Sequence, residues 1–289
     1  ESVKSFLSKC ILYILQPFII VHSIYSPVYT TERLMMALTV LLISFVTHIL
    51  LIGLGFIFFG GFKKIEDKKV AIFLTAFGNV GFFGYPVLDI ILPDLGRFLG
   101  AFFVIGFNLS MWSLGIMVYS YKRPDIKVDI KKVFFNPGSI PCYIGLFLDL
   151  LKGLLQSINP SFVFPPCFVD FTKFIADCAI PTSFIIVGCT LASSNFKELL
   201  SDIKVYYQAF IKLIVIPFIV FFIMKALKFN KTYILLITTL AASPAASIGV
   251  AVSNVYNMNP KLAAKIVSFT TILVMITLPF IVSFIQTMC

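Results

Sequence analysis

The chain has 289 residues, of which 59% are hydrophobic and only 12% are charged, and its formal net charge is +10. This composition excludes an ordinary soluble globular domain and indicates a polytopic membrane protein. The positive charge does not indicate nucleic-acid binding, because the lysines and arginines lie in short clusters between apolar runs, which is the pattern of membrane topology.

Nine apolar segments follow one another along the chain, each close to the ~20 residues that cross about 30 Å of hydrocarbon. We predict membrane spans at residues 5–26, 34–60, 70–92, 98–121, 133–155, 171–192, 203–227, 232–256 and 262–286. The predicted fold class is therefore an all-α, polytopic membrane helix bundle.

The basic residues predict the orientation of these spans. With the N-terminus in the cytoplasm, fifteen Lys and Arg residues fall on the cytoplasmic side, seven fall on the opposite side, and Lys212 lies within the seventh span. This excess agrees with the positive-inside rule. The longest polar turn, residues 122–132, is then a cytoplasmic loop that separates a first part, 1–121, from a second part, 133–289.

A faint internal repeat relates the two parts. Lys9 precedes Pro17 by eight residues, and Lys173 precedes Pro181 by the same step, with a similar apolar run after each proline. An offset of five spans places the two copies in opposite orientations, as in the inverted repeats of secondary transporters. The fifth span then has no partner. We therefore expect a parent of ten spans, with spans 2–5 in residues 1–121, spans 6–10 in residues 133–289, and the first helix absent here.

Two of the spans contain helix-breaking residues. In the third span Gly78, Gly81 and Gly84 recur at every third residue and Pro86 follows, and in the eighth span Pro244 lies in a run of small residues. Glycine and proline weaken a helix. A freed backbone group in hydrocarbon is costly unless protein or cavity water satisfies it. The sequence therefore predicts two broken helices, each surrounded by groups that satisfy the break.

The first break carries a family signature. The segment that contains Asn79, Gly84 and Pro86 resembles the Asn-x-x-x-x-Gly-x-Pro signature of the auxin efflux carrier family. That family includes plant PIN-FORMED proteins and bacterial malate permease-like carriers. The resemblance covers essentially the whole chain in order. Its further parts are Asn136 and Pro137 at the opening of the fifth span, the residues leading to Pro181, the small residues around Pro244, and the final span.

The resemblance implies an architecture and a class of substrate. It implies two inverted repeats of five helices, with the fourth helix of each broken and the two breaks crossing, and a scaffold domain beside a transport domain that moves in an elevator-like cycle. It implies a small organic anion as the transported partner, either an auxin-like monocarboxylate or a dicarboxylate such as malate. In the family the asparagine that matches Asn79 contacts the substrate carboxylate, and Pro86 and Pro244 match the prolines of the crossing.

Two facing helix breaks can bind a carboxylate without a buried lysine, because half-helix N-termini present N–H groups and partial positive charge. Asn79 can contact the carboxylate or, as an equal alternative, cap the broken helix. Ser243 and Ser247 can line the site or instead form hydrogen bonds within their own helix. The residues that we expect to bind substrate are Asn79, Gly81, Pro86, Ser243, Pro244 and Ser247.

Other polar residues within the spans are candidates for coupling or support, because charges in the membrane are costly and often functional. Asp177 is a candidate for proton or cation coupling, and its alternative is a pairing role between helices. His48 and Asn108 can form a second polar site near the crossing that takes the place of a cation. Lys212 is expected to extend to the lipid headgroups rather than to contact substrate.

The sequence shows no metal-ligand cluster, P-loop, glycine-rich nucleotide loop or intramembrane protease motif. We therefore expect no enzymatic activity, no cofactor and no metal. The preferred function is secondary transport of organic anions, and the alternative is a transporter-like membrane receptor that binds a small molecule or sterol without net transport. We expect contact with membrane lipids, no nucleic-acid partner, and the plasma membrane rather than an internal one; a homodimer is left open.

Overall fold

The computed structural model describes residues 2–25, 30–93, 95–136, 138–192 and 202–288. Pro137, which the family resemblance places at the opening of the fifth span, lies outside these residues. Every regular element in the described part is helical. The helices are α1 Ser2–Cys10, α2 Gln16–Tyr25, α3 Thr31–Phe58, α4 Ile65–Ala76, α5 Tyr85–Ile91, α6 Gly96–Ser110, α7 Ile116–Ser120, α8 Ile130–Phe134, α9 Ile140–Ile158, α10 Pro166–Asp177, α11 Ala179–Ala192, α12 Ile203–Phe210, α13 Ile216–Ala226, α14 Lys231–Ala241, α15 Ile248–Val255 and α16 Pro260–Met288.

Four π-helical segments continue these helices: Ile11–Leu15 before α2, Val80–Gly84 before α5, Met111–Gly115 before α7 and Ile211–Val215 before α13. In the described residues, seven helical spans are long and apolar enough to cross a membrane. Two further predicted spans are interrupted, one as α4 and α5 and the other as α14 and α15. The all-α membrane bundle is thus confirmed for the described part of the chain, whereas the count of nine spans stays a prediction.

Polar side chains in the turns fix where several helices begin. The side-chain oxygen of Thr30 accepts a hydrogen bond from the backbone N–H of Arg33 at the start of α3 (3.1 Å). Asn230 caps α14 in the same way through the N–H of Tyr233 (3.0 Å). Such caps satisfy N–H groups that have no partner within the helix. The apolar runs between these caps therefore become helices of defined length.

The fifth span begins later than its hydropathy predicts. The predicted boundary was residue 133, but residues 130–134 form the short helix α8 and the span itself is α9 from Ile140. The side-chain oxygen of Asn136 accepts hydrogen bonds from the backbone N–H groups of Gly138 and Ser139 (3.0 Å each). This local turn separates the two helices, and apolar composition alone does not show it.

The spans divide into two groups by their packing. The three-span group consists of α1–α2, α9 and α10–α11, in which α2 packs against both α9 and α10. The six-span group consists of α3, α4–α5, α6–α7, α12–α13, α14–α15 and α16, with its most extensive contact between α3 and α6. Both interrupted spans belong to the six-span group. The division of the sequence into two inverted repeats stays a prediction.

Small residues allow the closest packing inside the six-span group. A Cβ atom on Gly106 of α6 would lie 2.7 Å from the Cβ of Ser44 and 2.9 Å from the carbonyl oxygen of Leu41, both on α3. The Ser44 hydroxyl also donates to the carbonyl oxygen of Phe103 (2.9 Å). Helices α3 and α6 therefore meet backbone to backbone, where a larger side chain has no room.

A buried carboxylate joins three spans at the predicted cytoplasmic end of the six-span group. Asp67, near the start of α4, is 2% exposed. It accepts hydrogen bonds from the ammonium of Lys204 at the start of α12 (2.5 Å) and from the amide of Asn259 before α16 (2.8 Å). A buried charge needs such partners. The cluster therefore holds the starts of α4, α12 and α16 together.

Candidate functional site

The two interrupted spans cross and bond to each other through their backbones. The N–H of Asn79 donates to the carbonyl oxygen of Pro244 (2.7 Å), and the N–H of Ala246 donates to the carbonyl oxygen of Phe77 (3.1 Å). Between these bonds, Gly78 forms an antiparallel bridge with Ala245. Each break thus satisfies backbone groups that the other break frees. This mutual pairing is how two broken helices are tolerated at membrane depth.

The crossing leaves little room for a side chain at position 78. A Cβ on Gly78 would lie 3.3 Å from the Cβ of Ser243, 3.4 Å from its carbonyl oxygen and 3.3 Å from the Nζ atom of Lys212. Ser243 itself is 1% exposed. Glycine therefore permits the close approach of the two interrupted spans.

Glycines on the second half of each interrupted span make reciprocal contacts. A Cβ on Gly84 would lie 2.7 Å from a methyl group of Leu240 on α14, and a Cβ on Gly249 would lie 2.4 Å from a methyl group of Leu74 on α4. Each second half-helix therefore packs through a glycine against the first half-helix of the other span. This reciprocity fits the predicted relation between the two breaks.

Two sequence-predicted residues lie at the edge of the crossing rather than in its core. Asn79 is half-buried, whereas Ser247 is exposed at the N-cap position of α15 and makes no side-chain capping bond. The N-terminal end of α15, which carries a partial positive charge, therefore begins beside the crossing. These features are compatible with the predicted carboxylate site.

The three-span group contacts the crossing through Gln16. A Cβ on Gly81, in the π-helical segment after the first break, would lie 2.9 Å from the amide nitrogen of Gln16 on α2. The same segment packs against α11. Gln16 was not among the residues expected from the sequence, although a glutamine between Leu15 and Pro17 in an apolar span was an available signal.

Pro86 does not lie at the crossing, which corrects the expectation from its position in the family signature. The break is at residues 77–79, and Pro86 follows the π-helical segment in the first turn of α5. A proline there costs little, because the first N–H groups of a helix have no intrahelical partner. Pro244 does lie at the crossing and accepts the hydrogen bond from Asn79. Replacing Pro86 would consequently not restore a continuous helix.

Lys212 does not extend to the headgroups, which corrects the second expectation. Its side chain is 1% exposed. The ammonium donates to the carbonyl oxygens of Thr75 on α4 (3.0 Å) and of Ala241 on α14 (3.2 Å). Residue spacing within α12–α13 did not show that the helix face carrying Lys212 points into the six-span group. Lys212 was therefore not among the site residues expected from the sequence, and the structure places it at the crossing.

His48 and Asn108 lie in different environments. His48 is buried, bonds through Nδ1 to the carbonyl oxygen of Ser44 (2.6 Å), and stacks on the ring of Phe77 at the first break (centroids 5.2 Å apart). Asn108 is 6% exposed and faces the start of α9, where a Cβ on Gly138 would lie 2.5 Å from its amide nitrogen. His48 therefore packs against the first break through the ring of Phe77. Asn108 lies between the two helix groups.

Asp177 lies in a cluster of charges away from the backbone crossing. Arg97, at the start of α6, donates to both carboxylate oxygens of Asp89 on α5 (2.5 to 2.8 Å). Its other terminal nitrogen donates to Asp177 at the end of α10 (2.9 Å). Asp89 and Arg97 belong to the six-span group and Asp177 to the three-span group. The pairing role that sequence analysis kept as the alternative for Asp177 is the one that these contacts support.

A cavity of about 560 Å³ lies in the three-span group and not at the crossing. Its walls are mostly apolar and come from α1–α2, α9 and α10, with Pro17, Phe18, Pro141 and Phe168 among them. Within the described residues, no group of three or more His, Cys, Asp or Glu side chains is placed to hold a metal ion.

Comparison with known families decides the membership of the chain. A family model described as membrane transport protein, the domain of the auxin efflux carrier family, matches residues 123–282. The chain belongs to this family. The matched range runs from before α8 into α16 and contains Pro244 and Lys212, whereas Asn79 lies outside it. A comparison with curated proteins found no match. The protein is an integral, multi-pass membrane transport protein of the auxin efflux carrier family.

Proposed function

We propose that the protein is a secondary carrier of small organic anions, and that it binds the substrate carboxylate beside the crossing of its two interrupted spans. The observation that carries this proposal is the crossing itself, in which Asn79 bonds to Pro244 and Ala246 bonds to Phe77. It brings the start of α15 and the residues after the first break to one place within the membrane.

The chemistry of this place suits a carboxylate. The N-terminal end of α15 supplies partial positive charge, and the half-buried amide of Asn79 can donate a hydrogen bond to a carboxylate oxygen. The exposed hydroxyl of Ser247 lies at the same helix end. Gln16 of the three-span group lies next to Gly81. The substrate would then lie between the two helix groups, with its carboxylate toward the six-span group.

Alternating access in this proposal is an elevator-like movement of the six-span group against the three-span group. The internal contacts of the six-span group support its movement as a unit, since Asp67 joins three of its spans and the two breaks bond to each other. The ion pair between Arg97 and Asp177 connects the groups. That pair would have to break in one half of the cycle.

Transport by purified protein in liposomes tests the function. We expect uptake of radiolabelled malate or of an aromatic monocarboxylate, accelerated when unlabelled anion is present on the opposite side. Asn79→Ala should weaken substrate binding by about 1–3 kcal/mol, the cost of leaving a buried polar group unpaired. The control is Asn254→Ala, an exposed asparagine on α15. Unchanged uptake in the Asn79 variant would contradict the site.

The receptor alternative has one observation in its favour, which is the apolar cavity beside Pro17 and Phe168. A cavity of this size and character is typical of small-molecule sites. A receptor would bind an apolar ligand such as a sterol there without accumulating any anion in liposomes. Binding without uptake would therefore favour the receptor. The plasma-membrane location stays a prediction, and the homodimer stays open.

A further inference from the structure

Lys212 holds a position that joins both interrupted spans. Its ammonium contacts the carbonyl oxygens of Thr75, one residue before the end of α4, and of Ala241, the last residue of α14. These are the C-terminal ends of the two first half-helices. One side chain from a third span, α12–α13, thus closes both ends at once, at the point where the spans cross.

The two helix ends form an environment for a cation. The last carbonyl groups of a helix have no intrahelical partner, and each C-terminus carries a partial charge of about −0.5. Two such ends facing one point attract a positive charge and offer it oxygen ligands. Among the described residues no carboxylate lies within ion-pair distance of Lys212. The ammonium is therefore balanced by the helix ends and not by an acidic side chain.

A neighbouring side chain on the same helix face shows that this contact is part of a built site. Gln208, one turn before Lys212, is fully buried, and its amide nitrogen donates to the hydroxyl of Thr75 (3.1 Å). The amide oxygen of Gln208 has no hydrogen-bond partner. Gly78 leaves the space that the ammonium needs, since a Cβ there would lie 3.3 Å from Nζ.

We propose that Lys212 is a tethered cation that occupies the place of a free monovalent cation, such as Na⁺, at the crossing. The positive charge between the two helix ends is then covalently part of the protein. Stability and substrate binding consequently need no free monovalent cation. Only the statement about substrate binding rests on the proposed carrier function, because the cation site itself is a property of the fold.

Thermal unfolding of the purified full chain in detergent tests the proposal. Wild-type protein should unfold at the same temperature in NaCl and in N-methylglucamine chloride of equal ionic strength. Lys212→Ala should unfold more than about 5 °C lower. Propylammonium chloride, which replaces the atoms that the substitution removes, should restore part of that loss, and Na⁺ should stabilise the variant more than N-methylglucamine does. The control is Lys225→Ala on α13, whose exposed ammonium bonds to the carbonyl oxygen of Met288 (2.9 Å).

Two results would overturn the tethered cation. One is a wild-type protein that Na⁺ stabilises specifically, and this measurement holds even if Lys212→Ala does not fold. The other is a folded Lys212→Ala protein that responds to neither propylammonium nor Na⁺. Failure of anion uptake in liposomes would instead contradict the carrier function and leave these unfolding temperatures unchanged, so the two failures are distinguishable.

Discussion

The crossing and the boundary between the two helix groups are held by different kinds of contact. At the crossing, backbone hydrogen bonds and the buried Lys212 join three spans. At the boundary, the ion pair of Arg97 with Asp177 joins the two groups through side chains that are 28% and 47% exposed. Buried polar contacts are costly to break, and exposed ion pairs contribute little. The contacts at the crossing should therefore cost more free energy to break than the ion pair at the boundary.

The largest expected effect is on the buried carboxylate that holds the six-span group. Asp67→Ala removes the acceptor for Lys204 and Asn259 and should lower the free energy of unfolding by about 2–3 kcal/mol, less than for a fully buried pair because Lys204 is partly exposed. Chemical denaturation in detergent measures it. Asp125→Ala is the control, since Asp125 pairs with Arg123 in an exposed turn. Equal effects of the two substitutions would remove the distinction between buried and exposed contacts.

The next effect concerns the close approach at the crossing. Gly78→Ala places a Cβ 3.3 Å from both Ser243 and Lys212 and should destabilise the protein by about 1–3 kcal/mol through overpacking. Gly188→Ala on α11 has no atom within 4 Å of the new Cβ, and it should be neutral or stabilising by up to about 1 kcal/mol, because alanine favours a helix. The unfolding temperatures of the two variants provide the test. A stabilising Gly78→Ala would show that the two interrupted spans do not meet closely at this residue.

The smallest expected effect on stability lies at the boundary. Asp177→Asn removes the ion pair with Arg97, leaves the bonds between Arg97 and Asp89 in place, and should change the free energy of unfolding by less than about 1 kcal/mol. If the six-span group moves against the three-span group, the same substitution should change the uptake rate several-fold. The reason is that the end state containing the ion pair loses a stabilising contact, whereas the other end state does not. Arg123→Gln, which alters only an exposed turn, serves as the control in the uptake measurement. An unchanged rate would indicate that the pair does not separate during transport.

The sequence predicted the membrane bundle and the existence of both breaks, for reasons that are local. The length of the apolar segments predicts membrane spans. The glycines around Gly78 and the small residues around Pro244 weaken their own helices whatever the tertiary packing. The position of the first break was predicted less well. Pro86 is the stronger helix breaker in isolation, but in the structure it begins a helix, and the backbone pairing of Gly78 with Ala245 determines where the chain is interrupted.

The composition of the site depended on contacts that a single sequence does not show. Lys212 lies within an apolar span, and both the headgroups and the interior are within reach of its long side chain, so only packing decides between them. Gln16 and Gly81 are 65 positions apart and meet because two helix groups pack together. Asn79 was selected through the family signature, and its role toward a substrate stays a prediction.

The most direct test is an experimentally determined structure of the protein with a bound organic anion, such as malate at saturating concentration. We predict density for a carboxylate between the side chain of Asn79 and the N-terminal end of α15, with the ammonium of Lys212 between the ends of α4 and α14. Continuous helices in place of the two breaks, or an anion bound only in the apolar cavity of the three-span group, would contradict a carboxylate site at the crossing.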